Sequence, residues 1–271
     1  TIYDTDDQKT LMKEVCRKTD IDTKRFKERM LLSVISSAKN EMILPEEFEL
    51  NAGGDFVQLK IAKVYKEYEA QMRANNALDF DDLLVKTVQL LETQPDVREN
   101  YQERFRYIMV DEYQDTNDVQ DYLFESISQN SANRFMVGDV KQSIYSFRQA
   151  MPDIFIRYKD KFPRYDREKD AYPASIVLDR NFRSRKTVTE SVNFVFTQLM
   201  SRTCGGIDYV GDEKLAAGAQ YPEKSDCETR VEFLEDIDGV GAEVLEPQRI
   251  AKIICELMES GFTVTENGQE R

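Results

Sequence analysis

Histidine and tryptophan are absent from this 271-residue sequence, and cysteine is rare. Without histidine, Ser-His-Asp catalysis, Cys-His catalysis and histidine-ligated metal sites are excluded. Proton transfer and metal binding must then be carried out by carboxylates. Carboxylates favour hard cations such as magnesium. The four cysteines are widely separated and include no C-x-x-C pair, which indicates neither a zinc site nor a disulfide framework. We therefore expect reduced thiols in a cytoplasmic protein.

Positive charge and long apolar runs are also scarce. The chain has 37 Lys and Arg against 51 Asp and Glu, a net charge of −14. Since non-specific DNA affinity comes mainly from basic side chains on phosphates, any DNA binding must depend on a local groove. No apolar run approaches the roughly 20 residues of a membrane-spanning helix, so we expect no membrane partner.

The hydrophobic pattern predicts an α/β protein. Residues 1–70 are expected to be helical, because apolar side chains recur there at helical spacing. Farther along, short apolar runs alternate with helical segments, which predicts a buried parallel sheet. The apolar runs are residues 107–110, 134–137 and 175–178, and helices are predicted at residues 82–91, 188–199 and 250–258.

Polar residues follow each apolar run, at the strand ends where open α/β sheets bind ligands. After the first run come Asp111 and Glu112, two adjacent carboxylates. In a nucleotide hydrolase one such carboxylate holds magnesium, and its neighbour orients or deprotonates the attacking water. The alternative is that both acids stand at a helix N-terminus and are stabilised by the helix dipole.

Four segments, in the same order, resemble motifs of the UvrD/PcrA-type superfamily 1 DNA helicases. The resemblance implies incomplete RecA-like (P-loop NTPase) motor domains with a parallel sheet, plus a helical insert. The insert would occupy residues 1–70, the C-terminal part of the first motor domain residues 71–150, and the N-terminal part of the second residues 151–271. The segments are Leu-Asp-Phe-Asp-Asp-Leu at 78–83, Asp-Glu-Tyr-Gln-Asp-Thr at 111–116, Gly-Asp-Val-Lys-Gln-Ser-Ile-Tyr-Ser-Phe-Arg at 138–148 and Asn-Phe-Arg-Ser at 181–184.

The resemblance implies ATP and Mg²⁺ as cofactors and assigns five residues to them. Asp111 would bind the magnesium ion, and Glu112 would be the catalytic carboxylate. Gln142 would sense the terminal phosphate and couple it to DNA, since its amide both donates and accepts hydrogen bonds. Arg183 would act as an arginine finger, and Phe182 would stack on the adenine, where relatives often have tyrosine.

Three further residues are candidates for DNA binding. Tyr145 and Phe147 would form a stacking platform for single-stranded DNA, with Phe147 where relatives often have tryptophan. The alternative for both rings is ordinary core packing. Lys39 would touch the DNA backbone as in relatives, or would be a solvated helix lysine.

Different segments of the chain resemble two different branches of the family. Residues 35–41 and the segment around Asp79 are most similar to PcrA. Residues 138–145, 207–209 and 221–223 are more similar to AddA, a helicase–nuclease subunit, which would imply an AddB-like partner and an exonuclease. We favour an AddA-like protein.

These features predict an ATP-dependent helicase or translocase of DNA recombination and repair, acting on single-stranded DNA and duplex ends. The chain contains no G-x-x-x-x-G-K-[ST] phosphate loop, which lies upstream in the family. We therefore expect an internal fragment that alone binds nucleotide poorly and does not unwind DNA. The alternative is a non-catalytic helicase-like module for DNA or protein contacts. The excess of acidic over basic residues mildly favours this alternative.

Overall fold

The computed structural model describes residues 1–130, 132–146, 149–221, 229–236, 239–263, 265–266 and 269–270. The chain forms two compact units. The first comprises residues 1–179 and 195–214, and the second comprises residues 180–194 and 215–271. The domain boundaries predicted after residues 70 and 150 stay predictions, since compact units and homologous domains are different properties.

Helices dominate the first unit, as predicted for residues 1–70. Aspartate or asparagine caps several of them: Asp4, Asp79 and Asn117 each form a reciprocal capping box with the third helical residue. These caps satisfy backbone N–H groups that a helix start leaves without partners. The helices are α1 (Thr5–Thr19), α2 (Glu28–Asn40), α3 (Pro45–Asn51), α4 (Phe56–Ala74), α5 (Phe80–Thr93), α6 (Pro95–Arg104), α7 (Asp118–Ile127) and α8 (Pro152–Lys161).

Apolar faces of α1, α2 and α4 form the main core of the first unit. Leu31 and Ile35 on α2 are buried against Tyr65 and Tyr68 on α4, as their helical spacing predicts. A smaller cluster joins α5 and α7 through Val85, Val88 and Val119. The helices that precede and follow the first strand are therefore packed together.

Two of the three predicted strands are confirmed. The strands β1 (Ile108–Val110) and β2 (Arg134–Met136) pair in parallel, with Ile108 opposite Arg134. Between them the chain runs through α7, so β1, α7 and β2 form a crossover connection of the kind that parallel strands require. Both strands thus end at the same edge of a small parallel sheet.

The predicted strand at residues 175–178 is wrong. Only Ser175 forms a bridge, to Arg164, while Ile176 and Leu178 are 64% and 87% exposed. An apolar run becomes a strand only where a neighbouring backbone can pair with it, and pairing begins farther on. In the second unit β3 (Arg180–Asn181) pairs in parallel with β4 (Ala216–Ala217).

The later helices were predicted correctly. Helix α9 (Lys186–Leu199) confirms the helix expected at residues 188–199, and α10 (Ala242–Glu259) includes the one expected at 250–258. A short antiparallel pair, β5 (Thr265–Glu266) and β6 (Gln269–Glu270), follows. None of the helices in the described ranges has the length and apolar character that a membrane crossing requires.

Candidate functional site

Asp111 and Glu112 lie exposed at the carboxyl end of β1. Backbone hydrogen bonds hold this end against the neighbouring strand: Val137 N–H donates to the Val110 carbonyl at 2.8 Å, and Tyr113 N–H donates to the Val137 carbonyl at 2.8 Å. The acid pair therefore stands on a backbone that is fixed on both sides, while its carboxylates face solvent.

Glu112 adopts the left-handed conformation, with φ 54° and ψ 40°. For a residue with a side chain this costs roughly 1–2 kcal/mol, and such strain concentrates at functional sites. The backbone N–H of Glu112 donates to Asp111 Oδ1 at 2.9 Å, which stabilises the turn. Because the chain turns tightly between Asp111 and Glu112, their two carboxylates point in different directions.

The alternative that a helix dipole stabilises this acid pair stays a prediction, and only a three-residue 3₁₀ turn follows the pair directly. Glu112 precedes a 3₁₀ turn, Tyr113–Asp115, but its side chain makes no capping hydrogen bond. The next helix, α7, is capped by Asn117 instead. The two carboxylates are thus available for other chemistry.

The buried Tyr113 side chain stabilises the turn that carries the acid pair. Its ring is fully buried and lies about 6 Å from the rings of Phe124, Phe155 and Tyr158. Burial first, and then its hydrogen bond to Asp121, raise the pKa of Tyr113. The hydroxyl therefore remains a neutral donor, and the aromatic cluster fixes the turn at its base.

The loop that follows β2 approaches the acid pair closely. A Cβ added at Gly138 would lie 2.8 Å from Gln114 Oε1 and 3.0 Å from the Phe155 ring, so a larger residue there would displace Gln114. Asp139 then caps a 3₁₀ turn, Val140–Gln142, by accepting from the Lys141 N–H at 3.1 Å. The glycine brings this turn up against the segment that follows β1.

The Asp139 carboxylate contacts two polar side chains of the 3₁₀ turn that it caps. It accepts from Gln142 Nε2 at 3.1 Å and lies 2.7 Å from Lys141 Nζ. Burial acts to raise the pKa of Asp139, but the hydrogen bonds from Lys141 and Gln142 outweigh it and hold the pKa below its usual range. Asp139 is therefore ionised at neutral pH, and it holds the Gln142 amide.

Gln114 is a site residue that the sequence argument did not single out. It is 2% exposed, and its Oε1 accepts from the Asp139 N–H at 2.9 Å. Its Nε2 donates to Glu112 Oε2 at 3.1 Å and to Asp115 Oδ2 at 3.4 Å. Its place inside the Asp-Glu-Tyr-Gln-Asp-Thr segment was the only signal, because the bond to Asp139 spans 25 positions.

The candidate phosphate sensor and stacking residue lie along the same loop. Gln142 is exposed, and the Tyr145 ring is 36% exposed beside Ile144, which is 69% exposed. An exposed ring suits a stacking surface better than a core position. Phe147, the second predicted platform residue, lies outside the described residues.

In the second unit, Phe182 and Arg183 both lie exposed just after β3. Asn181 Oδ1 accepts from the Arg183 N–H at 2.9 Å, and the Tyr221 hydroxyl donates to the Arg183 carbonyl at 2.7 Å. The Phe182 ring is 67% exposed and packs against Gly218, where a Cβ would lie 2.8 Å from it. Both predicted side chains are thus accessible on a held backbone.

Lys39 requires a correction, because it is neither a DNA contact nor a solvated lysine. It is 2% exposed, and its Nζ lies between 2.7 and 2.9 Å from the carboxylates of Glu69, Asp79 and Asp82. Its ammonium also lies over the Tyr68 ring, 5.4 Å from the centroid. A buried ammonium held by three carboxylates cannot reach a DNA phosphate.

The donor set fits magnesium held jointly with a nucleotide. Among the residues that the structure describes, no group of three or more acidic or cysteine side chains could hold a metal ion alone. Magnesium usually keeps several waters and takes one or two carboxylates together with substrate phosphates. Asp111, as an exposed carboxylate at a strand end, meets that requirement.

The chain is similar in sequence to known proteins. The chain is 39% identical over 207 residues to the ATP-dependent DNA helicase PcrA of Staphylococcus epidermidis (strain RP62A), covering 76% of this chain and 27% of that protein. PcrA of Leuconostoc citreum is 37% identical over 195 residues, which cover 72% of this chain and 25% of that protein. The chain thus spans about a quarter of the length of these curated relatives.

The family profile described as the UvrD/REP helicase N-terminal domain matches residues 1–163. The matched region includes the acid pair after β1 and the turn after β2. Since it covers more than half of the 271 residues, the chain belongs to the UvrD/REP helicase family.

Proposed function

We propose that this chain carries the catalytic carboxylates of an ATP-dependent DNA helicase that couples Mg-ATP hydrolysis to movement on single-stranded DNA. The observation that carries the proposal is the exposed Asp111–Glu112 pair, held in a left-handed turn at the end of β1. Membership of the UvrD/REP helicase family supports it. The PcrA relatives are named as ATP-dependent DNA helicases, which supports the same reaction here.

The two carboxylates divide the chemistry between them. Asp111 would hold a magnesium ion, which would supply neutralisation of charge on the phosphates. Glu112 accepts a proton from the attacking water, because its carboxylate is exposed and carries no capping bond. Gln142 is the phosphate-sensing amide in this proposal, and its hydrogen bond to Asp139 on the loop after β2 supports the role.

Two further residues contact the nucleotide in this proposal. Arg183 is the arginine finger, which stabilises charge on the transferred phosphoryl group. Phe182 stacks on the adenine with its exposed ring face. The exposure of both side chains supports these roles, and so does their place in the Asn-Phe-Arg-Ser segment.

Single-stranded DNA binds along the loop after β2, with Tyr145 and Phe147 as its stacking residues. Aromatic stacking tolerates any base, as a motor that moves along DNA requires. The net charge of −14 confines DNA to such a local surface. In this proposal the protein serves recombination and repair, with duplex ends as its substrates and an AddB-like subunit as its partner.

Tyr145→Ala is expected to weaken binding of single-stranded DNA by about 5- to 150-fold, the equivalent of losing one base stack of roughly 1–3 kcal/mol. The measurement is fluorescence anisotropy with a labelled oligothymidine. Tyr122→Ala is the matched control, since Tyr122 is 42% exposed on α7 and donates to Glu92. Equal affinities for the two variants would remove Tyr145 from the DNA site.

ATP hydrolysis by the intact gene product that carries this chain tests the proposed function. We expect hydrolysis that single-stranded DNA stimulates and that Glu112→Gln strongly slows. A protein that binds DNA but hydrolyses no ATP, with or without DNA, would contradict the proposal and indicate a non-catalytic module.

A further inference from the structure

The Gln114 side chain connects the acid pair to the turn that carries Gln142. It is almost wholly buried, yet it reaches the exposed Glu112 carboxylate. A buried amide needs hydrogen-bond partners, and those partners show which segments it connects. Both ends of the Gln114 amide meet polar groups, on two different loops.

Hydrogen-bonding chemistry determines which way the amide points. The Asp139 backbone N–H is a donor and must face the Gln114 oxygen, at 2.9 Å. The NH₂ group then faces the carboxylates of Glu112 and Asp115. The reverse orientation would place a carbonyl oxygen against two carboxylates and leave a backbone donor without an acceptor.

A continuous series of hydrogen bonds runs from the phosphate-sensing amide to the catalytic carboxylate. Gln142 Nε2 donates to Asp139 Oδ2 at 3.1 Å, the Asp139 N–H donates to Gln114 at 2.9 Å, and Gln114 donates to Glu112 at 3.1 Å. Gly138 permits this close approach, because a Cβ there would collide with Gln114 Oε1 at 2.8 Å.

We propose that Gln114 is a positioning residue that orients the Glu112 carboxylate and transmits movement of the Gln142 turn to it. The inference rests on the proposed function, since it concerns the same reaction. A carboxylate on an exposed turn has several side-chain rotamers, and a buried amide selects one of them. When Gln142 engages a phosphate, the displacement of Asp139 reaches Glu112 through Gln114.

The pKa of Asp115 responds to both Glu112 and Gln114. Burial and the nearby Glu112 raise the pKa of Asp115, while the hydrogen bond from Gln114 acts in the opposite direction. The Gln114 amide therefore offsets repulsion between the two carboxylates.

The test is ATP hydrolysis by Gln114→Met in the intact gene product, followed with γ-labelled ATP so that slow turnover is measured. Methionine conserves volume but cannot bond to Glu112 or Asp139. We expect kcat to fall on the order of 10- to 100-fold with KM nearly unchanged, the range found when a residue that orients a catalytic group is lost. Gln114→Glu, which keeps the acceptor for Asp139 but loses the donor, is expected to lower kcat similarly.

Gln102→Met is the matched control. Its amide donates to the Ser126 and Ser128 carbonyls in the same unit, and not to either carboxylate of the acid pair. We expect its kcat to equal that of the unmodified protein. If Gln114→Met has the same kcat as this control, the inference is overturned.

A double-mutant cycle separates positioning from a general structural defect. In the Glu112→Gln background no base remains to be oriented, so adding Gln114→Met should cause no further loss. A further loss as large as in the unmodified protein would overturn the inference. If Glu112→Gln alone hydrolyses ATP normally, the proposed function of Glu112 fails instead, and the two failures are thereby distinguished.

Discussion

Lys39→Met is expected to destabilise the first unit by about 3–5 kcal/mol, because it leaves three buried carboxylates without their cation. Glu69, Asp79 and Asp82 all lie within 3 Å of Lys39 Nζ. Methionine matches lysine in length and in helix propensity, so the loss reports on charge. The measurement is urea unfolding followed by circular dichroism at neutral pH.

The electrostatics of the cluster explain the size of this effect. Burial acts to lower the pKa of Lys39, but attraction to Asp79, Glu69 and Asp82 outweighs it and raises the pKa. Burial in turn raises the pKa of Glu69, even though Lys39 acts to lower it. Without Lys39, the remaining carboxylates would lose the cation that offsets most of their desolvation cost.

Lys9→Met provides the comparison for Lys39→Met. Lys9 pairs with Asp6 on α1 at 3.0 Å, but both side chains are well exposed, so we expect a loss of at most about 1 kcal/mol. Equal unfolding midpoints for the two variants would show that the buried cluster contributes nothing, and would leave Lys39 open to other roles.

Glu112→Gln is expected to lower kcat for ATP hydrolysis about 10²- to 10⁴-fold, the usual contribution of a general base. Glutamine preserves the size of the side chain but cannot accept a proton from water. Nucleotide affinity is expected to stay nearly unchanged, because in our proposal magnesium is held by Asp111. The two measurements are steady-state hydrolysis and equilibrium binding of a fluorescent ATP analogue.

Glu125→Gln is the control for this substitution. Glu125 is exposed on α7 in the same unit, so the same chemical change should leave kcat unaltered. Undiminished hydrolysis by Glu112→Gln would move the base to another residue. A parallel loss of nucleotide affinity would assign Glu112 to binding instead.

Local sequence patterns predicted much of this fold correctly. The apolar runs before Asp111 and Gly138 are parallel strands, and the helical spacing on α4 marks its buried face. Such features depend on residues close in the chain, within one or two helical turns or within one strand. They can therefore be predicted from a single sequence. The run at residues 175–178 is also apolar but does not form a strand, because a strand also needs a partner.

The sequence by itself determined where β1 and β2 lie, which acids follow β1, and that the chain carries the motifs of a helicase family. Only the tertiary structure decided what Lys39 and Gln114 contact. Lys39 meets Asp79 across 40 positions, and Gln114 meets Asp139 across 25. The physical reason is that ion pairs and amide hydrogen bonds act over a few ångströms in space, and no local pattern records which distant segments the folded backbone brings that close.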